Sequence, residues 1–321
     1  MMIRELGPAD QPALLELATE ALGEGPQGSR QADWWDWKHV ANPFGRSLVL
    51  GAFEGEQLIG LRAFMRWRLV DAQGRRWRCA RAVDTATHPA HQGKGIFSQL
   101  TLEGLEHLRA DGTDIVFNTP NGKSGPGYRK MGWVAVTPLS AGIRPNGLAG
   151  ALRLAQRAAG QPVQDLALPP AADWSVFEHR DWTGLAEAWK ATGLGTDWNA
   201  KTLAWRLSTC PVASYHPIVI QDRLLGAVRV HSRKGLREGV LSLAPGLHLA
   251  PALRSMPQSV RQGVDYWVWR PSHSAARWPE LLRGGSLPIP EPVLHLHSRE
   301  VNRPVPAADQ WHLRFSDLEL L

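Results

Sequence analysis

The sequence predicts an α/β (α+β) protein built as two tandem domains, each a central mixed, mostly antiparallel sheet flanked by helices. Three observations lead there. β-rich runs bounded by tight turns alternate with stretches of helical pattern. One strand, ending near Thr87, passes through a glycine loop straight into a helix. The order of elements in the first half recurs weakly in the second, and a length of 321 residues suits two domains.

In chain order, Ile3–Leu6 reads as a strand and Pro8-Ala9-Asp10 as a helix start, with helices over Gln11–Leu22 and Gln31–Val40. Strands Leu48–Phe53 and Leu58–Ala63 pair across Glu54-Gly55-Glu56, a hairpin signal. Strands near Arg66–Asp71 and over Trp77–Thr87 follow, then the helix that leaves the loop and stops at Asp111-Gly112. Ile115–Asn118 is a short β-rich run. A further helix ends at Gly132, a residue suited to a left-handed helix end, and Trp133 opens the next strand as a core residue. Residues 1–145 form the first domain. Residues 146–172 are a helix (Leu148–Ala159) and a linker carrying Pro162 and Pro169-Pro170, and 173–321 form the second domain.

The run from Asp84 to Gln99 carries the chemistry. A helix that opens out of a glycine loop leaves backbone N–H groups unpaired at the positive end of its dipole, an arrangement that binds phosphate. Two common phosphate loops are excluded. No stretch supplies the Walker spacing, and after Gly93 and Gly95 the third position of a dinucleotide fingerprint is Ser98. What remains is Gln92-Gly93-Lys94-Gly95, preceded by His88-Pro89. This resembles the acetyl-CoA loop of the GCN5-related N-acetyltransferases (GNAT), whose pattern is Gln/Arg-x-x-Gly-x-Gly/Ala. The last position departs from the pattern: Phe97 stands there, and its side chain must turn away from the pyrophosphate.

Downstream, Asn121, Ser124 and Tyr128, followed by a basic helix end and Gly132-Trp133, resemble the other half of the same signature, Asn-x-x-Ala/Ser-x-x-x-Tyr. Ser124 and Tyr128 lie about one helical turn apart and share a face. A thiol ionises near 8.5 and a phenol near 10, so proton transfer between them is close to balanced.

The second half repeats the plan. Val176-Phe177 opens it as Ile3 opens the first, with helices over Thr183–Thr192 and Ala200–Ser208. Ile218–Ile220 and Leu224–Val230 pair across Gln221-Asp222-Arg223, Tyr266–Trp269 is a later strand, and Ser272–Arg283 a helix ending at Gly284-Gly285. The implied architecture is a tandem GNAT-like protein whose second copy is degenerate. At Leu243–Leu249 the sequence has no Gln-x-x-Gly and no counterpart of Tyr128, and Pro245 and Pro251 remove two donors. The second half is expected to pack, to cover the acceptor cleft or to mediate oligomerisation, for instance as a homodimer.

Composition narrows the function class. The two cysteines, Cys79 and Cys210, are far apart and suggest a reducing compartment without disulfides. The chain start has no long apolar stretch and no window suits a membrane span, so no leader, no membrane partner and a cytoplasmic location are expected. The net charge of +6 is concentrated in arginines on the hairpin, Arg62, Arg66, Arg68, Arg75, Arg76, Arg78 and Arg81, opposed by Asp71. The favoured reading is a solvated hairpin face. A surface for acidic substrates or nucleic acid is the lesser one, lacking recognition-helix, zinc or RNP signatures. Trp34, Trp35 and Trp37 read mainly as core, with an aromatic wall for the acceptor as the minority reading. His295 and His297 alternate in a strand-like run, but no third ligand is evident and no metal is expected. A Ser–His–Asp hydrolase has no Gly-x-Ser-x-Gly elbow to support it.

The resemblance implies direct acetyl transfer from acetyl-CoA to an amine acceptor in a ternary complex. Pantetheine would lie along Asp84–Thr87, held by Thr85, Ala86 and Thr87. N–H groups of Gln92, Gly93, Lys94, Gly95, Ile96 and Phe97 would cradle the pyrophosphate, and Asn121 and Ser124 would line the cofactor site. Tyr128 is the expected acid toward the departing thiolate, and Asp84 the first candidate for the base. The alternative is a non-catalytic acyl-CoA-binding protein on the same fold.

Overall fold

The computed structural model describes residues 1–23, 31–122, 124–270, 286–289 and 294–318. The chain divides into two compact units. The first holds Met1–Thr137 together with Leu294–Ala307, and the second holds Pro138–Val293 with the segment from Ala308 onward. This differs from a division at 145 and 173. Residues from Pro138 are already part of the second unit because Gly142–Pro145 pairs antiparallel with Tyr266–Trp269. The strand His295–Glu300 belongs to the first unit because it pairs antiparallel with Ile115–Asn118.

In the first unit β1 is Met2–Glu5, α1 Gln11–Leu22 and α2 Ala32–Trp35, and α2 runs on as a π-turn, Asp36–Val40. Then come β2 (Leu48–Glu54), β3 (Gln57–Val70), β4 (Arg76–Thr87), α3 (Ile96–Ala110), β5 (Ile115–Asn118), α4 (Gly125–Lys130) and β6 (Val134–Pro138). The expected break between Ala63 and Arg66 is absent: β3 is one strand of 14 residues. It is bonded to β4 from Gly60 to Val70 with one slip of register after Arg62, and from Ala63 onward the ladder runs straight through the expected break. The strands lie in the order β1, β2, β3, β4, β5, His295–Glu300, β6.

The core lies between this sheet and α3 and α4. Leu48, Leu50, Ile59, Phe64, Ala80, Val116, Leu100, Leu105, Leu108, Tyr128, Met131 and Trp133 form one buried cluster. α3 sits close to β3 because two residues lack side chains there. A Cβ on Gly60 would lie 2.4 Å from Ile96, and one on Gly104 would lie 2.2 Å from Phe64.

The second unit has a six-stranded sheet in the order Leu287–Pro288, Gly142–Pro145, Tyr266–Trp269, Leu236–Leu243, Arg223–Arg233, Ser214–Ile220. Its pairing echoes the first. A long hairpin, Arg223–Arg233 with Leu236–Leu243, is antiparallel, and Leu236–Leu243 runs parallel to Tyr266–Trp269, as β4 runs parallel to β5. The helices here are His179–Ala188, Ala200–Ser208, Leu249–Ser255 and Gln258–Gln262, with Gly147–Ala158 ahead of them. Val176-Phe177 is a turn rather than an opening strand: Phe177 N–H bonds back to Trp174 C=O, and Trp174 stacks on Trp182. The helix expected at Ser272–Arg283 lies outside the described residues.

Candidate active site

The loop after β4 folds as its residue types dictate. Pro89–His91 makes one 3₁₀ turn, with the His88 side chain accepting from the Ala90 N–H. Gly93 and Gly95 take φ of +78° and +77°, left-handed conformations that cost glycine little, and Gly95 is the N-cap of α3. The first acceptor used by α3 is the Gly95 carbonyl, bonded by the N–H groups of Ser98 and Gln99. The N–H groups of Gly93, Lys94, Gly95, Ile96 and Phe97 donate to no protein acceptor among the described residues. They form a row of free donors at the positive end of a 15-residue helix. The Gln92 side chain turns back toward the Thr87 carbonyl, and Lys94 lies against His91, Nζ to Nδ1 3.3 Å.

Phe97 turns away from these donors, as its bulk requires. Its ring meets Tyr128 edge-on at 5.3 Å, and a Cβ on Gly127 would come 2.9 Å from it. The Phe97 ring and Gly127 thus form the contact between α3 and α4, and a glycine is needed on the α4 side of it.

β4 leads to this loop through a wedge. It pairs with β5 only at Cys79, Ala80 and Arg81, so beyond Arg81 its β5-side edge is open. Asp84 is a bulge there. The β3–β4 register slips between Arg62 and Ala63, and Asp84 takes φ +38° while Thr85 returns to register opposite Arg62. The Thr85 hydroxyl donates to the Leu61 carbonyl, which directs it toward β3.

The bulge delivers Asp84 to the π-turn after α2. Its Oδ2 lies 2.5 Å from Lys38 Nζ and 2.9 Å from His39 Nε2, while His39 Nδ1 is 2.8 Å from Ser47 Oγ. Lys38 is almost fully buried and its ammonium sits 4.4 Å over the Trp34 ring; His39 lies 4.0 Å from the Trp35 ring. Burial opposes ionisation of Asp84, but the charge of Lys38 and the hydrogen bond from His39 outweigh it and hold the carboxyl well below the usual carboxylate range. Asp84 is thereby the shared partner of Lys38 and His39. Neither partner was evident in the sequence, because the bulge brings together residues 45 positions apart.

Tyr128 is buried in the core with its ring against Phe97 and Trp133. Asn121 and Ser124 are tied to each other: Asn121 Oδ1 accepts from the Ser124 N–H at 2.9 Å and from its hydroxyl at 3.1 Å. Asn121 thereby shapes the entry to α4. Beneath Phe97 and Tyr128 lies Arg62, fully buried, its guanidinium 5.7 Å and 5.3 Å from those ring centres and 4.8 Å from Phe64. Its nitrogens meet no hydrogen-bond acceptor among the described residues. Arg62 and the equally buried Arg81 depart from the solvated hairpin face expected for this arginine cluster.

His297 reaches the first unit from the far end of the chain. It is buried opposite Asn118, and burial lowers its basicity, so it is held neutral, whereas His295 is exposed. Among the described residues no group of three or more His, Cys, Asp or Glu is gathered as a metal would require.

In the second unit the matching turn is Ala244–His248, with Gly246 at φ +77°. Here the Ala244 N–H bonds Leu225 C=O, the Leu247 N–H bonds Ala244 C=O, and Pro245 has no N–H to give. The helix that follows has only seven residues.

Comparison with known proteins agrees with this geometry. The model of the Acetyltransferase (GNAT) domain family matches residues 2–136. A search of curated proteins finds no match to the sequence. Among solved structures, a protein of unknown function from Enterococcus faecalis V583, described as a probable N-acyltransferase, superposes with a TM-score of 0.61 at 14% identity, over 94% of this chain and 73% of that one. A GCN5-related N-acetyltransferase from Kribbella flavida gives 0.59 at 18% identity, over 94% and 71%. A putative acetyltransferase from Pyrococcus horikoshii gives 0.56 at 12% identity, over 99% and 95%. At such identities the likeness shows the fold.

Proposed function

We propose, on the ground that the acetyltransferase (GNAT) domain model matches residues 2–136, that this protein moves an acetyl group from acetyl-CoA to a primary amine of a small molecule or peptide by direct transfer. The observation that carries the reading is the row of free N–H donors from Gly93 to Phe97 at the head of α3, beside the open edge of β4. A pyrophosphate fits those donors, and an extended pantetheine fits an unpaired strand edge along Thr85, Ala86 and Thr87.

Acetyl-CoA, when bound, supplies an activated acyl carbon and a thiolate leaving group. The chain supplies the rest. A backbone N–H on the open edge of β4 stabilises negative charge on the thioester oxygen as the amine attacks. Tyr128 gives its hydroxyl proton to the sulfur as the C–S bond breaks. Asp84 holds Lys38 and His39 in place at the bulge, and the proton of the attacking amine leaves to ordered water. The second unit, whose matching turn has no Gln-x-x-Gly and which has no counterpart of Tyr128, has a supporting role.

The test is thiol release from acetyl-CoA and longer acyl-CoAs against a broad amine panel, with Tyr128→Phe beside the parent. Loss of a positioned acid predicts a turnover lower by about 10²-fold with acyl-CoA affinity retained. Tight CoA binding with no turnover on any amine would sink the enzyme and leave the acyl-CoA-binding alternative. Unchanged turnover in Tyr128→Phe would remove that residue from the acid role.

A further inference from the structure

At the opposite end of α3 from the glycine loop, the first unit has a second concavity of about 460 Å³. α3 has 15 residues, so at ~1.5 Å per residue its ends are about 22 Å apart. Four arginines line the concavity, Arg46 from the loop before β2, Arg66 and Arg68 from β3, and Arg78 from β4, with Phe44 beside them. The one acid in the lining, Asp111, is already used. Its Oδ2 pairs with Arg66 at 2.5 Å, and its Oδ1 accepts from the Thr113 N–H and hydroxyl. Arg46 and Arg78 make no ion pair among the described residues, so the lining carries a clear excess of positive charge.

The walls are set in advance. Asn42 donates from Nδ2 to the Arg66 carbonyl, and its Oδ1 accepts from the Phe44 N–H, which pins the Phe44–Arg46 loop to β3. Gly112, at φ +77°, leaves room for the Arg78 guanidinium, which a Cβ there would meet at 3.2 Å. Several arginines lining one concavity suit an oxyanion that accepts paired hydrogen bonds and carries more than one charge. A carboxylate would leave most of the positive charge unmatched. A bare phosphate would leave most of the volume empty, since concavities of this size hold small organic ligands.

We propose that this concavity is a binding site for a small phosphorylated molecule, its phosphate dianion held by Arg46 and Arg78 and its body against Phe44. The distance along α3 makes the site separate from the acyl-CoA loop.

Calorimetric titration of the full chain with inorganic phosphate, adenosine 5′-monophosphate and adenosine tests it, with CoA at saturation so that the donors of Gly93–Phe97 are occupied. The monophosphate is expected to bind and adenosine to bind far more weakly. Affinity should rise from pH 5 to 7 as the phosphate loses its second proton near pH ~6. Arg46→Glu and Arg78→Glu should each weaken the monophosphate by about tenfold or more, with CoA affinity and basal thiol release unchanged. Silence with every phosphate compound, or equal binding in both variants, overturns the proposal. So does capture of a single-stranded oligonucleotide alone, with the monophosphate ignored. If CoA itself fails to bind, the charge-reversal variants still locate the monophosphate site, so failure of the acyl-CoA reading and failure of this one remain distinguishable.

Discussion

Two buried cations in the first unit illustrate opposite uses of charge. Lys38 has its anion: Asp84 sits 2.5 Å away. Arg62 has three aromatic rings and no acceptor among the described residues. Removing one partner of a buried pair strands the other, whereas removing an uncompensated buried charge relieves a desolvation cost. Asp84→Asn is therefore expected to destabilise the fold by about 3 kcal/mol at neutral pH, and Arg62→Met, close in volume, to raise the melting temperature. The pH dependence has a definite sign. The Asp84 carboxyl is depressed in the folded state, so its contribution is complete above the ordinary carboxylate value of about 4 and is lost as pH falls below it. Thermal melts of parent and Asp84→Asn should differ most at neutral pH and converge below about pH 4. A gap that stays constant down to acid pH would show that the Lys38–Asp84 pair does not act this way. The loop glycines and Tyr128 were legible in the sequence because they form short local patterns. Lys38, His39 and the burial of Arg62 were not, since each depends on a bulge or a packing partner far along the chain.

At the scale of elements, α3 is the beam that carries the site. Its first turn presents the free donors, and its inner face must lie flat on β3 to aim them. Gly104 is what allows that contact, with the Phe64 ring 2.2 Å from where a Cβ would stand. Phe64 is fully buried and cannot swing aside. Gly104→Ala should gain a little helix propensity and lose more to overpacking, a net cost of about 1–3 kcal/mol, read as a lower urea midpoint. An unchanged midpoint would mean that α3 can lift from the sheet without cost. Elements with a clear local pattern fell where the sequence placed them: α1 at Gln11–Leu22, the helix Ala200–Ser208, the strand Tyr266–Trp269. Those that failed lacked one. The stretch between Ala63 and Arg66, Phe64-Met65, reads as a break between two strands, yet its pairing with β4 runs on without interruption. Val176-Phe177 is apolar enough for a strand but is held as a turn by Trp174.

At the scale of the whole chain, the first unit is not contiguous in sequence, and no local pattern could have announced it. The strand His295–Glu300 lies between β5 and β6, so it joins the sheet from a position between the two segments of the second unit. Leu296 is fully buried there, and the Ser298 hydroxyl donates to the Val116 carbonyl. The Asp114 carbonyl accepts from the N–H groups of Val301, Asn302 and Arg303, while the Arg303 side chain pairs with the Asp114 carboxylate at 2.9 Å. Without this segment β5 becomes an open edge, and the ring of Trp133 loses the Arg299 guanidinium 5.5 Å from its centre. A fragment ending at residue 145 is therefore expected to lack a cooperative melt, although it contains the glycine loop and Tyr128. Residues 1–137 joined by a flexible linker to 294–307 restore the missing strand and should melt cooperatively. Circular dichroism melts of the two fragments decide the matter. A cooperative melt of the shorter fragment, or none in the joined one, would mean that the first unit does not depend on its C-terminal strand.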